Sequence, residues 1–319
     1  MKALRFDGHN LKMIEMPVPQ PQENEALIKV KYSGICNTDL EILKGYMNFN
    51  GVIGHEFVGV VESAPQSEWH HRIVVGEINL SCGNCEYCHQ GLTRHCPNRS
   101  VLGIQDKQGV MAEYITLPLR NLHVIPGGVN PLHALFTEPL AAACEIFEQL
   151  QVRNDYRILL IGEGKLGQLI ARVTKLYTPN LLVLGKHRHK LHLLKKLGIS
   201  TAHVEEFKIG DSGKFHVVIE ATGSWQGWEL ALRAVRPQGF IVLKSTYAAE
   251  QVFNPAPLVI HEITVLGSRC GPFSLALQLL MKKKVKVNDL ITATFPFDDW
   301  ETAFDKASNY DSLKIILEH

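Results

Sequence analysis

Residues 162–167 read Gly-Glu-Gly-Lys-Leu-Gly, between an apolar run at 157–161 and a helix-patterned stretch at 165–177. Three glycines at this spacing restrict the fold more than any other feature of the chain. The first permits the tight turn from strand to helix. The second lets the backbone approach a pyrophosphate, and the third lets helix and strand pack closely. The helix N-terminus then offers N–H groups to phosphate oxygens. Glycines also gather in ordinary turns, but the flanking strand and helix set this one apart. Gly162, Gly164, Lys165, Leu166 and Gly167 are the expected contacts to a dinucleotide.

The chain after residue 139 alternates in the way such a motif requires. Strands are expected at 157–161, 181–184, 215–220 and 240–244, and helices at 139–150, 165–177, 188–197 and 225–235. Gly198 ends the third of these helices. Alternation with short links gives a parallel sheet covered by helices on both faces. The N-terminal third differs. Short strands are expected at 1–6, 25–32, 57–62, 72–78 and 110–117, with Pro17, Pro19 and Pro21 holding the intervening chain extended. The last fifty or so residues are expected to hold one helix at 274–283 and a terminal strand at 313–317.

A dinucleotide site selective for NAD carries a carboxylate some ~20 residues after the glycines, to grip the ribose 2′-hydroxyl. Here the second strand runs into Gly185-Lys186-His187-Arg188, with no acid. A small residue followed by Lys186 and Arg188 leaves room and positive charge for a 2′-phosphate. NADP(H) is therefore expected over NAD(H). The bland alternative is that these cations are only the solvated start of a helix.

Metal chemistry is written in the cysteines. Four of the seven stand at Cys82, Cys85, Cys88 and Cys96. Four soft thiolates suit a closed tetrahedral zinc whose role is structural, with an iron–sulfur cluster as the rival. A second constellation combines Cys36 with Gly54-His55-Glu56 and Glu138. Cys, His and carboxylate are what a zinc needs when one position stays open for substrate. Such a zinc lowers the pKa of a bound hydroxyl and favours loss of hydride from its carbon. Thr38 is placed to pass the hydroxyl proton onward, or simply to cap the turn that follows.

Composition excludes other classes. There are 33 basic against 32 acidic side chains, so the net charge is +1, without the basic excess expected of a nucleic-acid or membrane-surface binder. No apolar run reaches the ~18–20 residues of a membrane span. The first ten residues mix charge with few apolar side chains and do not read as a signal peptide. A cytoplasmic location is expected.

Taken together, the motifs resemble those of the zinc-dependent medium-chain dehydrogenase/reductase family of alcohol, polyol and threonine dehydrogenases. The matching stretches are Gly34-Ile35-Cys36-Asn37-Thr38-Asp39, Gly54-His55-Glu56-Phe57-Val58-Gly59, the four-cysteine lobe, Thr137-Glu138-Pro139-Leu140-Ala141, the glycine loop, Ala221-Thr222-Gly223 and Lys314, in the family's order. The resemblance implies an α/β protein: a partly open, GroES-like β-barrel catalytic domain (1–139 and 271–319, with the structural-zinc lobe at 82–96) and a doubly wound Rossmann domain (140–270). It implies that Cys36 and His55 are ligands of a catalytic Zn2+, with Glu56 and Glu138 sharing the remaining coordination. It places Thr222, Gly223, Ser268 and Arg269 by the nicotinamide and lets Lys314 approach the cofactor. It also implies a homo-dimer or homo-tetramer.

The chain departs from the pattern at Leu40-Glu41, where a His often extends the proton relay, and in the compact segments 37–54 and 63–72. The expected activity is hydride transfer between an alcohol or polyol carbon, or the matching aldehyde or ketone, and NADP(H). The alternative from another class is a non-catalytic NADP(H)-binding sensor or scaffold. A binder has no need of an open zinc, so the intact Cys36, His55, Glu56 and Glu138 set argues against it.

Overall fold

The structure, a computed structural model, describes residues 1–208, 213–246 and 252–319. The chain divides into two compact units, Met1–Glu138 with Ala276–Met281 and Ile291–His319, and Pro139–Leu275 with Lys282–Leu290.

The first unit is built on one long strand, Glu25–Ile35, whose alternation buries Ala26, Ile28 and Val30 completely. It pairs antiparallel with Glu56–Ser63 on one side and with Lys314–Glu318 on the other, while Tyr114–Pro118 joins at its N-terminal half. Ile73–Gly76 and Leu122–Val124 extend one edge of this seven-stranded sheet, and Ile291–Pro296 the other. Residues 110–117 were expected to form one strand. Only Tyr114–Pro118 does so, because Val110 and Met111 donate their N–H groups to Gly54 and Ile53 and thereby fasten the loop before His55.

The expectation for the last fifty residues was incomplete. Besides Phe273–Met281 and Lys314–Glu318, they hold the strand Ile291–Pro296 and the helix Trp300–Ser308. That helix buries Ala303, Phe304 and Ala307, an i, i+1, i+4 face, against a core that includes Ile35, Ile42, Ile53, Ile315 and Leu317. The strand was hidden in the sequence because its residues are half-exposed and carry no apolar run.

Among the described residues the second unit is a six-stranded, all-parallel sheet in the order Ser200–His203, Leu181–Gly185, Ile158–Ile161, Phe215–Glu220, Val235–Leu243, Thr264–Gly267. The sequence order reverses between Ile158–Ile161 and Phe215–Glu220. Helices follow the strands, as parallel connection requires. Ile158, Leu159 and Leu160 are fully buried, as are Val217, Val218 and Ile219 on the neighbouring strand, so the centre of the sheet is covered on both faces. The helix Lys165–Thr174 is shorter than expected. The Thr174 hydroxyl donates back to the Ile170 carbonyl at 2.7 Å, and Pro179 keeps the chain before it out of helical geometry.

That helix carries Arg172, buried to 4 % exposure, whose guanidinium meets both oxygens of Asp289 at 2.7 and 2.8 Å and also the Lys286 carbonyl. Removing the partner would leave a buried cation with only neutral acceptors. Asp289→Ala is expected to cost about 2–3 kcal/mol, read as a lowered midpoint in thermal or urea unfolding. Glu301→Ala, a change on the exposed side of the C-terminal helix, should leave the midpoint within about 0.5 kcal/mol.

Candidate active site and cofactor loop

Sheet register builds the first constellation. Gly34 lies opposite Glu56, and Ile35 opposite Ile315, so the ends of three strands deliver Cys36, Glu56 and Lys314 to one place. His55 precedes the strand Glu56–Ser63 and is brought in by a turn at Gly54, whose φ of +93° favours glycine. A Cβ there would also run into the Met111 side chain. One ligand atom from each of Cys36, His55 and Glu56 lies within 4.8 Å of the others. His55 and Glu56 are 3 % and 1 % exposed.

A residue outside the expected set organises the ligands. Asp39 is fully buried at the third position of the short helix Asn37–Ile42, which Cys36 caps. One carboxylate oxygen accepts the Cys36 backbone N–H at 2.7 Å, and the other faces His55 Nδ1 at 3.3 Å. Burial works against a charged His55 ring, but Asp39 and then Cys36 outweigh it and hold the imidazole well above its ordinary pKa. An imidazole held on one side by a carboxylate presents its other nitrogen as a metal ligand. The signal for Asp39 was in the sequence: an acid three residues after a cap reaches back to the cap's N–H.

Lys314, expected near the cofactor, has its ammonium on Glu56 Oε2, with the Phe136 ring 5.7 Å away. Burial disfavours its charge, yet Glu56 foremost, then Cys36 and Glu138, raise its pKa above the ordinary value. The other oxygen of Glu56 is buried and has no hydrogen-bond partner among the described residues. With Cys36 and His55 both deprotonated, as a bound metal requires, the buried carboxylates of Asp39 and Glu56 and the Cys36 thiolate exceed the single Lys314 ammonium by two charges. A dication fits both the donor set and the charge. Glu138 stands in the first turn of the helix Thr137–Gln149 and is not one of the three donors so gathered. The Thr38 hydroxyl lies 3.8 Å from Cys36 Sγ.

The four cysteines of the lobe form a second group. Their sulfurs are 3.5 Å apart for Cys85–Cys88 and Cys82–Cys96, 3.7 Å for Cys85–Cys96 and 3.9 Å for Cys82–Cys88. The edge of a sulfur tetrahedron around zinc is about 3.8 Å for Zn–S bonds of about 2.3 Å. The spacing therefore suits a single ion and leaves no room for a multi-iron cluster. The Asn84 backbone N–H above all holds the Cys82 thiol down at about 6. The Cys88 N–H favours a Cys85 thiolate, but burial and the three neighbouring sulfurs push that thiol up to about 11. Four thiolates at this spacing need a cation.

The glycine loop follows Ile158–Ile161 at the point where strand order reverses, the place where such sheets bind ligands. Gly162 has φ +113°, and a Cβ on Gly167 would collide with the Gly162 carbonyl. Above Gly164, which caps the helix Lys165–Thr174, a Cβ would meet nothing within 4 Å. This open cradle at a helix N-terminus fits a pyrophosphate. Thr222 is bound twice to Glu220, N–H at 2.7 Å and hydroxyl at 2.5 Å, and the Gly223 N–H donates to Ser245 at 2.8 Å. Lys244 ties the Ser268 hydroxyl and the Arg269 carbonyl to the Ala142 carbonyl. Glu220 and Lys244, absent from the expected set, thus fix the loops of Thr222 and Ser268.

The second strand and its end carry no carboxylate of their own, as expected, but the side chain of Glu163 from the glycine loop lies over Gly185, and its Oε1 accepts the His187 N–H at 3.0 Å. Arg188, expected to read a 2′-phosphate, pairs with Glu206 at 3.1 Å. Lys186 is exposed and its carbonyl faces the His203 ring at 3.0 Å.

Comparison with known proteins places these features in company. Residues 22–127 match the alcohol dehydrogenase GroES-like domain, and residues 133–319 match the glucose dehydrogenase C-terminus. The chain is 29 % identical to D-arabitol-phosphate dehydrogenase of Enterococcus avium, covering 97 % of this chain and 94 % of the relative. It is 28 % identical to sorbitol dehydrogenase of Halalkalibacterium halodurans, covering 99 % of both. Among solved structures, a short chain alcohol dehydrogenase of Escherichia coli complexed with NADH superposes with a TM-score of 0.92 at 26 % identity, over 100 % of this chain and 99 % of the other. A zinc-binding dehydrogenase of Sinorhizobium meliloti bound to NADP gives 0.91 at 23 %, over 100 % and 99 %, a likeness of fold.

Two outcomes test the geometry. Asp39→Asn should weaken metal affinity at the Cys36 site about 10–100-fold in chelator competition, with secondary structure unchanged. Cys96→Ser should remove one zinc equivalent by elemental analysis and expose the 82–96 lobe to protease, while dinucleotide binding persists.

Proposed function

This chain belongs to the zinc-dependent medium-chain dehydrogenase/reductase family, and from that premise we propose that it transfers hydride between an alcohol carbon of a polyol and a nicotinamide dinucleotide. The observation that carries the reading is the gathering of Cys36, His55 and Glu56, one donor each, around a point short of a dication. When bound, zinc there supplies a Lewis acid toward the substrate oxygen, and the dinucleotide supplies the hydride acceptor or donor.

The side chains have separate tasks. Cys36 and His55 would hold the metal, and Asp39 sets the direction of both side chains. Glu56 would offer it one oxygen while Lys314 restrains the other. A Lys–Glu pair this deeply buried gains little net stability, since desolvation offsets most of the attraction. Its value lies in position: it keeps a carboxylate beside the metal from swinging freely. Glu138 adds negative field from the neighbouring helix. Thr38, next to Cys36, is the hydroxyl placed to relay the substrate proton. The polyol class is taken from relatives named for arabitol phosphate and sorbitol. The expected domain limits, a cytoplasmic location and assembly into a dimer or tetramer follow from the family resemblance alone.

The expected preference for NADP(H) rested on Lys186 and Arg188. Arg188 is paired with Glu206, and the carboxylate of Glu163 in the glycine loop lies over Gly185, so both bear on that preference.

The test is cofactor reduction across polyols, polyol phosphates and simple alcohols, with NAD and NADP in parallel and a metal-stripped control. Turnover that needs zinc and favours a polyol is expected. Cys36→Ser should lower kcat/KM by about 100-fold or more and remove one zinc equivalent, leaving dinucleotide binding in place. Full activity and full metal content in that variant would end the reading. Tight dinucleotide binding without turnover on any compound would favour a sensor or scaffold.

A further inference from the structure

The second residue of the glycine loop is a glutamate, and its side chain does not point to solvent. Glu163 is 6 % exposed. Its Oε1 accepts the His187 backbone N–H at 3.0 Å and stands 2.5 Å from His187 Nδ1. Buried Gln168 braces the same corner, donating to the carbonyls of Glu163 at 3.1 Å and of Lys190 at 3.0 Å. A Cβ built on Gly185 would fall on Glu163 Oε2, Cδ and Cγ. The volume that a side chain at the end of the second strand would occupy is therefore filled by the carboxylate of Glu163. Gly185 is small because Glu163 needs the space.

That volume has a known use. In sheets of this kind the residue ending the second strand meets the adenosine ribose, and an acid there accepts a hydrogen bond from the 2′-hydroxyl. We infer that Glu163 supplies this carboxylate from the glycine loop, making it the residue that selects the unphosphorylated ribose of NAD(H) against the 2′-phosphate of NADP(H). The inference rests on the dinucleotide reading of the loop.

The geometry supports it on three counts. Oε1 is anchored by His187, and among the described residues no other residue donates to Oε2, the oxygen that lies over Gly185, so an acceptor remains for a hydroxyl. Burial opposes ionisation of Glu163, but the His187 ring and the surrounding N–H groups outweigh it and lower its pKa, so the group is an anion at neutral pH. The opposing cations face solvent: the Arg188 side chain is 77 % exposed and bound to Glu206, and Lys186 is exposed. A fixed, desolvated carboxylate outranks exposed cations that solvent screens.

The experiment is a binding titration of the zinc-loaded protein with NADH and with NADPH, followed by nicotinamide fluorescence, with AMP and 2′-AMP as competitors. Native protein should bind NADH more tightly than NADPH. Glu163→Gln keeps the shape and the acceptor for the His187 N–H but removes the charge; it should shift the affinity ratio toward NADPH by about tenfold or more. The double variant Glu163→Ala with Gly185→Asp moves the carboxylate to the strand end and should restore the preference for NADH. Tighter NADPH binding by native protein, or a ratio unmoved by Glu163→Gln, would overturn the assignment of Glu163 while leaving the dinucleotide site intact. Failure of both nucleotides to bind would overturn the assignment together with the dinucleotide reading.

Discussion

The register of one strand governs the first unit of this protein. Glu25–Ile35 is paired on both sides near its C-terminal end, and the pairings Gly34–Glu56 and Ile35–Ile315 fix which side chains face each other. A one-residue slip in a sheet turns every side chain to the opposite face. Here a slip would exchange Glu56 for Phe57 and Lys314 for Ile315, putting apolar groups where charge is gathered. The apolar alternation of the strand, with Ala26, Ile28 and Val30 at no exposure, sets that register. The packing of a core and the placing of ligands are thus one constraint. Asp39 adds the last degree of order, since it fixes the Cys36 backbone and faces His55 from the same carboxylate.

The second unit solves its problem by a different route. Its sheet is parallel and its central strands are buried on both faces, so its functional groups cannot lie along the strands and must stand at their C-terminal ends. Glu163, Gly185, Glu220 and Lys244 all occupy that rim, and the three charged side chains are each tied to backbone as well as to a neighbouring side chain. Buried charges anchored on N–H and C=O groups cost less than isolated ones and hold loops in place without rotamer freedom.

Much of this was legible in the sequence, for identifiable reasons. The glycine loop and its flanking strand and helix were readable because turn, close approach and packing each demand glycine at a set position. The four cysteines were readable because their short spacing brings thiolates together without help from distant chain. Other features depended on tertiary contacts. The strand Ile291–Pro296 and the helix Trp300–Ser308 carry weak periodic signals and are held by the core they cover. Asp39 was visible as part of a motif but not as the group that meets both Cys36 and His55, because its second contact is to His55, farther along the chain. Glu163 reads as an ordinary loop residue until Gly185 is seen beneath it. Searching for an acid at the expected sequence distance missed one that arrives from the other side.

The strand Lys314–Glu318 has a consequence for the order in which the molecule comes into being. It is the partner of Glu25–Ile35 and it carries the ammonium that answers Glu56. On the ribosome, at about 5–20 residues per second, the parallel-sheet unit emerges whole before this strand does. Until then the C-terminal end of one side of the central strand lacks its partner, and the Glu56 carboxylate lacks its cation. The nascent first unit thus carries an unfinished edge for much of its synthesis, a template for wrong pairing that only its own late strand closes correctly.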